Sequence, residues 1–267
     1  MDFTKLFSLE GRVAVVTGGS RGIGEMIAQG FLAAGCARVY ITARKAAVVE
    51  ETAARLGEGC IALPGDISNL AGIEQLVADL SAREDHIDIL VNNAGVAWGA
   101  EFEDFPEVGW DKVMDLNVKT PFFLTQKLLP LLKAAARADQ LAKVINIASI
   151  DGLRPNPWET YSYQASKAAV IQLTRRMAAR LICDQIVVSC ICPGAFPSEM
   201  NKAAAKNPGA SAKGIPSKRV GTAEDMAGGA IYLASRAGDY VVGTALPIDG
   251  GIVNGWIPSE VVDPSGH

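Results

Sequence analysis

Apolar positions in this chain fall into short β-branched runs that alternate with longer stretches of helical period. The runs are Val13–Val16, Arg38–Thr42, Cys60–Leu63, Ile87–Val91, Lys143–Ala148 and Gln185–Ile191. This alternation is what a parallel sheet with crossover helices requires, and it predicts an α/β fold. From Trp110 to Ala138 the helical pattern reads as one long helix. Pro121 is expected to kink it or open it locally, because proline cannot donate to the helical ladder. Glu199 to Lys218 has no sustained period and reads as a mobile segment. Thr222 then stands as an N-cap, with Glu224 and Asp225 in the first turn of another helix.

Length and charge narrow the classes. The chain has 267 residues, at the upper end for one domain, and no repeat or linker divides it. Its net charge is −4 and neither sign forms long runs, which argues against nucleic acid and against a basic membrane surface as partners. No apolar run reaches the length of a membrane span and no signal peptide is visible, so a cytoplasmic protein is expected. The five cysteines lie in apolar contexts without metal-ligand spacing and read as buried free thiols. With only His86 and His267 present, a histidine-based metal site or triad has almost no material, and no metal is expected.

Candidate chemistry begins at Thr17-Gly18-Gly19-Ser20-Arg21-Gly22-Ile23-Gly24, between the first run and a helical pattern ending at Ala34. Glycines there let the backbone approach a pyrophosphate, and the free N–H groups of a helix start face an anion. A plain glycine-rich turn is the alternative. Further along, Tyr163 and Lys167 are four apart in a helical segment, so a phenol and an ammonium share a face. A fixed cation beside a phenol lowers its pKa toward a useful range. The spacing alone is common, and its context decides. Ser149 ends the fifth run fourteen residues before Tyr163.

The loop has the form T-G-x-x-x-G-x-G, and here the sequence resembles the short-chain dehydrogenase/reductase family. The likeness runs from about Gly11 to Gly251 and includes Asn92-Asn93-Ala94-Gly95, Tyr163-x-x-x-Lys167 and a final strand ending in Asp249-Gly250-Gly251. It implies a single Rossmann domain over 1–267, a doubly wound, seven-stranded parallel sheet in the order 3-2-1-4-5-6-7. A substrate lid is expected at about 195–220, and a C-terminal tail at about 257–267 that frays or touches another subunit. It also implies a catalytic set of Asn117, Ser149, Tyr163 and Lys167. In that set Tyr163 exchanges the proton, Ser149 bonds the carbonyl, and Asn117 holds a water behind Lys167. The cofactor site implied comprises Gly18, Ser20, Arg21, Gly22, Ile23, Gly24, Arg44, Asp66, Ile67, Asn93, Ala94, Gly95, Tyr163, Lys167, Pro193, Gly194, Phe196 and Ser198.

Several of these have bland alternatives. Asp66 either lies beside the adenine or caps the next helix. Asn117 is either the water-holding amide or a structural one. Ala43 stands where NAD-preferring members carry aspartate, and Arg21 and Arg44 offer guanidiniums to a 2′-phosphate, so NADP(H) is expected over NAD(H). Both arginines could otherwise be solvated surface charges. Ser198 replaces the family's threonine, and Phe196 replaces its commoner Ile or Val. The pattern from Pro193 to Met200 is similar to 3-oxoacyl reductases of bacterial lipid synthesis, which makes a 3-oxoacyl thioester the expected substrate. A terpenoid, steroid or xenobiotic ketone is the alternative within this chemistry, and a non-catalytic NADP(H)-binding regulator the alternative outside it. Trp98, Leu153, Trp158, Phe196 and Met200 are candidates to line an apolar pocket. A homotetramer or homodimer through the two long helices is expected from the resemblance.

Overall fold

The computed structural model describes residues 2–198 and 201–255. The expected tail from Ile257 and the pocket candidate Met200 lie outside the described residues. Seven strands form one parallel sheet: β1 (Val13–Thr17), β2 (Arg38–Thr42), β3 (Cys60–Ala62), β4 (Ile89–Asn92), β5 (Ala142–Ile147), β6 (Ile186–Pro193) and β7 (Ala245–Ile248). Their order is 3-2-1-4-5-6-7, as the resemblance implies. The central strands β1, β4, β5 and β6 are buried at every position, because helices cover both faces of a parallel sheet.

The main helices are α1 (Gly22–Ala33), α2 (Ala46–Leu56), α3 (Leu70–Ser81), α4 (Glu107–Met114), α5 (Thr120–Ala135), α6 (Tyr161–Leu181) and α7 (Ala223–Ala234). One apolar cluster joins α1, α7 and one face of the sheet through Ile27, Phe31, Val16, Ile41, Met226 and Leu233. A second, under α3, α5 and α6, gathers Leu76, Leu80, Leu124, Leu128, Leu90 and Val144. α7 starts at a capping box in which Thr222 and Asp225 bond each other's backbone N–H, the cap expected from the sequence.

One row across the sheet is polar. Thr42 pairs in register with Thr17, which is level with Asn92; Asn92 pairs with Asn146, and Asn146 with Cys190. Asn92 Nδ2 donates to Thr125 Oγ1 of α5 at 3.2 Å and to Asn146 Oδ1 at 2.8 Å. Asn146 Nδ2 donates to Thr174 Oγ1 of α6 at 2.9 Å. Buried amides keep partners, and here the partners fix the two long helices against the strand ends that carry the site.

Three expectations need correction. The helix read as continuous from Trp110 is divided by a π-turn, Asp115–Lys119, in which the Thr120 N–H reaches back to the Asp115 carbonyl. Pro121 follows at once and has no N–H to give the preceding turn, so the opening lies just before it. The segment after Ser198 is not featureless. It contains short helices Lys202–Lys206 and Pro208–Ala212, with Asn201 and Asn207 accepting from Ala204 N and Ala210 N at 3.1 and 3.0 Å. Cys183 is exposed and Cys60 half-buried, so burial of thiols holds only for Cys36, Cys190 and Cys192.

Candidate active site

The site forms at the carboxyl ends of the strands, where the first turn brings the backbone close. Gly18 and Gly22 have positive φ, +64° and +55°. A Cβ at Gly24 would fall 2.3 Å from the Gly18 carbonyl oxygen and 2.4 Å from Asn93 Nδ2. Only glycine permits that approach. Asn93 secures the loop from the next strand, its Nδ2 donating to the Thr17 and Gly18 carbonyls at 2.8 and 3.1 Å. Thr17 Oγ1 accepts from the Asn93 and Ala94 N–H groups at 2.9 and 3.0 Å, so the loop and the Asn93-Ala94-Gly95 turn are one unit. Ser20 is buried, with its carbonyl accepting from Thr52 Oγ1 at 3.0 Å. Ile23 packs half-buried on the first core cluster.

The adenosine end is less enclosed. Arg21, at the N-cap of α1, and Arg44, just past β2, both have exposed side chains, and Ala43 brings no carboxylate. Asp66 does not cap α3, since Asn69 does, accepting from Gly72 N at 3.0 Å. Asp66 Oδ1 instead accepts from Ser68 N at 3.0 Å within its own turn. Ile67 is buried, and its carbonyl accepts from Thr120 Oγ1 at 2.8 Å, linking this turn to the end of the π-turn.

Asn117 lies within the π-turn and is buried. Its Oδ1 accepts from Val96 N at 2.9 Å, while Nδ2 donates to the Val96 carbonyl at 2.9 Å and to Ser166 Oγ at 3.0 Å. Ser166 Oγ in turn donates to the Tyr163 carbonyl at 2.7 Å. The amide thus ties the strand-4 turn to α6. Between them, a Cβ at Gly95 would come within 3.2 Å of Asn117 Oδ1 and 3.6 Å of Lys167 Nζ. Glycine leaves this junction open.

Lys167 is buried on α6, and its Nζ donates to the Ile147 carbonyl at 2.8 Å. The same nitrogen stands 5.5 Å from the centroid of the Tyr163 ring, over its face. Ser149 stands two residues past β5 on the Tyr163 side of the site, its Oγ accepting from Asp151 N at 3.1 Å. Asn117, Ser149, Tyr163 and Lys167 therefore converge through Val96, Ser166 and Ile147. The electrostatics differ from the expectation. Burial pushes the phenol up to about 12, the Ser149 hydroxyl offsetting part of this, and burial pushes the Lys167 ammonium down to about 8. The ammonium lies over the ring rather than against the phenol oxygen and is itself desolvated, so removal from water outweighs their attraction.

Beyond the tetrad, Pro193 ends β6, and Gly194 N donates to the Ile248 carbonyl at 2.9 Å. Ser198 stands above the first loop: a Cβ at Gly22 would lie 3.2 Å from Ser198 Cβ. Phe196 borders only a small cavity of about 90 Å³ shared with Ile215, Ser217 and Ile248, away from the aromatic groove beside Tyr161. It belongs to the first core cluster, with its ring against Gly221. Trp98 packs its ring on Gly109 of α4, and Trp158 is 67% exposed. An open aromatic groove of about 500 Å³ lies instead among Phe102, Phe105, Pro106, Glu107, Trp110 and Tyr161. Thr17 and Ser166 join the site although neither is among the site residues expected from the sequence. Ser166 stands inside the Tyr163–Lys167 motif, and a hydroxyl at that place was the signal available.

Fold and site define a class. A family profile described as Enoyl-(Acyl carrier protein) reductase matches residues 18–253, and the chain belongs to the short-chain dehydrogenase/reductase family of oxidoreductases. It is 49% identical over 250 residues to the rhamnolipids biosynthesis 3-oxoacyl-[acyl-carrier-protein] reductase of Pseudomonas aeruginosa, covering 92% of this chain and 97% of that one. Among solved structures, the Pseudomonas aeruginosa RhlG/NADP active-site complex superposes with a TM-score of 0.89 at 48% identity, covering 93% of this chain and 99% of that chain. A gluconate 5-dehydrogenase from Burkholderia cenocepacia in complex with NADP and tartrate gives a TM-score of 0.85 at 32% identity, covering 94% and 98%. Among the described residues no cluster could hold a metal ion, and no helix is long and apolar enough to cross a membrane.

Proposed function

We propose that this chain reduces the 3-oxo group of an acyl thioester to a secondary alcohol with NADPH. The observation that carries the reading is the convergence of Ser149, Tyr163, Lys167 and Asn117 beside a glycine loop too tight for any side chain. The loop fits a dinucleotide by its own geometry, since the Cβ-free approach at Gly18 and Gly24 leaves backbone N–H groups at the start of α1 for a pyrophosphate. Arg44 and Arg21 supply cations for a 2′-phosphate, and Ala43 brings no carboxylate to the end of β2. When bound, the nicotinamide supplies the hydride.

The chain's own residues hold and move the proton. Tyr163, with its phenol raised to about 12, is protonated across the neutral range and stands ready as a general acid. Ser149, whose hydroxyl acts on the same phenol, offers it to the carbonyl oxygen, so both groups serve one oxygen as charge develops on it. Lys167, held at the Ile147 carbonyl, keeps further ammonium protons for the nicotinamide ribose. Asn117 holds the Val96 turn against α6 and so fixes the spacing of Gly95 and Lys167.

The thioester substrate is supported by the likeness to the Pseudomonas aeruginosa 3-oxoacyl reductase. A keto-sugar acid is the second reading, supported by the gluconate 5-dehydrogenase likeness. NADPH consumption with 3-oxoacyl thioesters of several lengths, beside 5-ketogluconate and a panel of cyclic ketones, separates the two. Fastest turnover on the thioesters is expected, and turnover confined to the keto-sugar acid refutes the thioester reading.

A further inference from the structure

We propose that the carboxylate of Asp151 makes the site select a 3-oxoacyl thioester over the free 3-oxo acid. The inference rests on the thioester reading given above, and it concerns what separates that substrate from its own hydrolysis product. A thioester is neutral at its first carbon. The free acid carries an anion there, two bonds from the carbonyl carbon that takes the hydride.

Asp151 is the middle residue of a short helical turn, Ile150–Gly152, that follows Ser149. The turn is fixed at both ends. Asp151 N–H donates to Ser149 Oγ at 3.1 Å, and a Cβ at Gly152 would fall 2.5 Å from the Lys167 carbonyl carbon and 2.7 Å from Ala168 N, so the turn sits hard against α6. From an N–H so placed, bond lengths leave the carboxylate at most about 7 Å from the Ser149 hydroxyl oxygen that receives the substrate carbonyl. That carboxylate is half-buried, and among the described residues nothing bonds it. Neighbouring cations are engaged elsewhere: Lys167 Nζ donates to the Ile147 carbonyl at 2.8 Å, and Arg154 Nη1 to the Ile252 carbonyl at 3.2 Å. Burial sets the main shifts of the catalytic pair, but the Asp151 charge adds a push toward the protonated form to the Tyr163 phenol and to the Lys167 ammonium alike. Its field therefore reaches the place where proton and carbonyl meet.

An unpaired carboxylate in a partly desolvated cleft repels a second one. Two like charges about 8 Å apart, at an effective dielectric constant of about 20–40, weaken association by roughly fivefold to thirtyfold. The penalty falls on the free acid alone, because the thioester presents only a dipole at that carbon.

The test compares the N-acetylcysteamine thioester of 3-oxobutanoate with free 3-oxobutanoate, each followed by NADPH oxidation at saturating NADPH and one pH. Acid–base effects common to both then cancel in the ratio of their kcat/KM values. Asp151→Asn should lower the thioester-to-acid ratio by roughly fivefold to thirtyfold, through the KM of the acid, while Asp151→Glu should keep it within about threefold of wild type. In the wild-type chain the ratio should fall as salt rises from about 0.01 M to about 1 M, which shortens the screening length from about 30 Å to about 3 Å. An aspartate with a purely structural role would give no such dependence. A ratio unchanged in Asp151→Asn would overturn the assignment, as would an equal fall in Asp151→Glu or, should neither variant fold, a wild-type ratio indifferent to salt. Reduction of 5-ketogluconate but not of the thioester by the wild-type chain would instead remove the thioester reading on which the proposal stands.

Discussion

Asn117 makes three hydrogen bonds of 2.9 to 3.0 Å, the one to Ser166 buried and the two to Val96 half-buried, and its removal tests how the site is held. Asn117→Ala strands the Val96 N–H and carbonyl, while Ser166 Oγ keeps its own bond to the Tyr163 carbonyl. An unsatisfied buried group costs about 1–3 kcal/mol. Val96 is half-buried, so water reaches part of the gap. The expected loss is therefore about 3 kcal/mol, or roughly a 6–12 °C fall in Tm for a chain of this size. The same bonds set the position of Gly95 against Lys167, and a misplacement on the order of 1 Å costs about a hundredfold in rate. Urea unfolding and steady-state NADPH oxidation measure the two effects. Asn117→Asp should fare worse in stability, since it turns a donor facing the Val96 carbonyl into an acceptor and buries a charge. An Asn117→Ala protein less than 1 kcal/mol weaker, with turnover within threefold of wild type, would refute this account of the junction.

Two further perturbations test the electrostatics. With Tyr163 protonated well past neutrality and Lys167 titrating near 8, kcat/KM for NADPH in the reducing direction should be flat below about pH 8 and fall above it, as the ammonium is lost. A reduction profile that rises through pH 8 to 9, or a falling limb that survives Lys167→Met, would contradict the assignment. Remote from the site, Lys143 is 1% exposed within β5 and bonds Asp239 at 2.6 Å. Asp239→Ala leaves a buried ammonium unpaired and should cost about 3 kcal/mol, the lower end for such a break because Asp239 is itself 30% exposed. Lys143→Met, which removes the charge with the pair, should cost less than 1 kcal/mol in urea unfolding, and equal losses for the two variants would contradict the argument.

The strands were legible because β-branched runs such as Val13–Val16 and Ile186–Ile191 supply nothing but sheet interior, and each run lies within two residues of its observed strand. Their spatial order came from the family resemblance, since periodicity carries no information on which strands are neighbours. The converging residues of the site were legible for the same reason: Ser149, Tyr163 and Lys167 keep fixed spacings that resemble a family. What depends on tertiary burial was not. The π-turn at Asp115–Lys119 inserts one residue into a helix whose apolar period continues on either side, so only its hydrogen bonds reveal it. Phe196 is apolar whether it faces substrate or the core, and its place in the core is set by Gly221, twenty-five residues away. The two short helices after Ser198 do have a local signal in Asn201 and Asn207, side chains suited to N-caps, although no apolar period accompanies it. The upward shift of the Tyr163 phenol was unreadable because desolvation is a property of the packed site, whereas the nearby cation is written in the sequence.

The central claim is that Tyr163 gives the proton while the chain reduces a 3-oxoacyl thioester, and Tyr163→Phe tests it most directly. NADPH affinity, measured by titration, should stay within about threefold of wild type, because the phosphate loop and Lys167 are untouched. NADPH-dependent reduction of a 3-oxoacyl thioester should fall by about 10²–10⁴, the usual contribution of a positioned general acid. Reduction by Tyr163→Phe within tenfold of the wild-type rate would contradict the account.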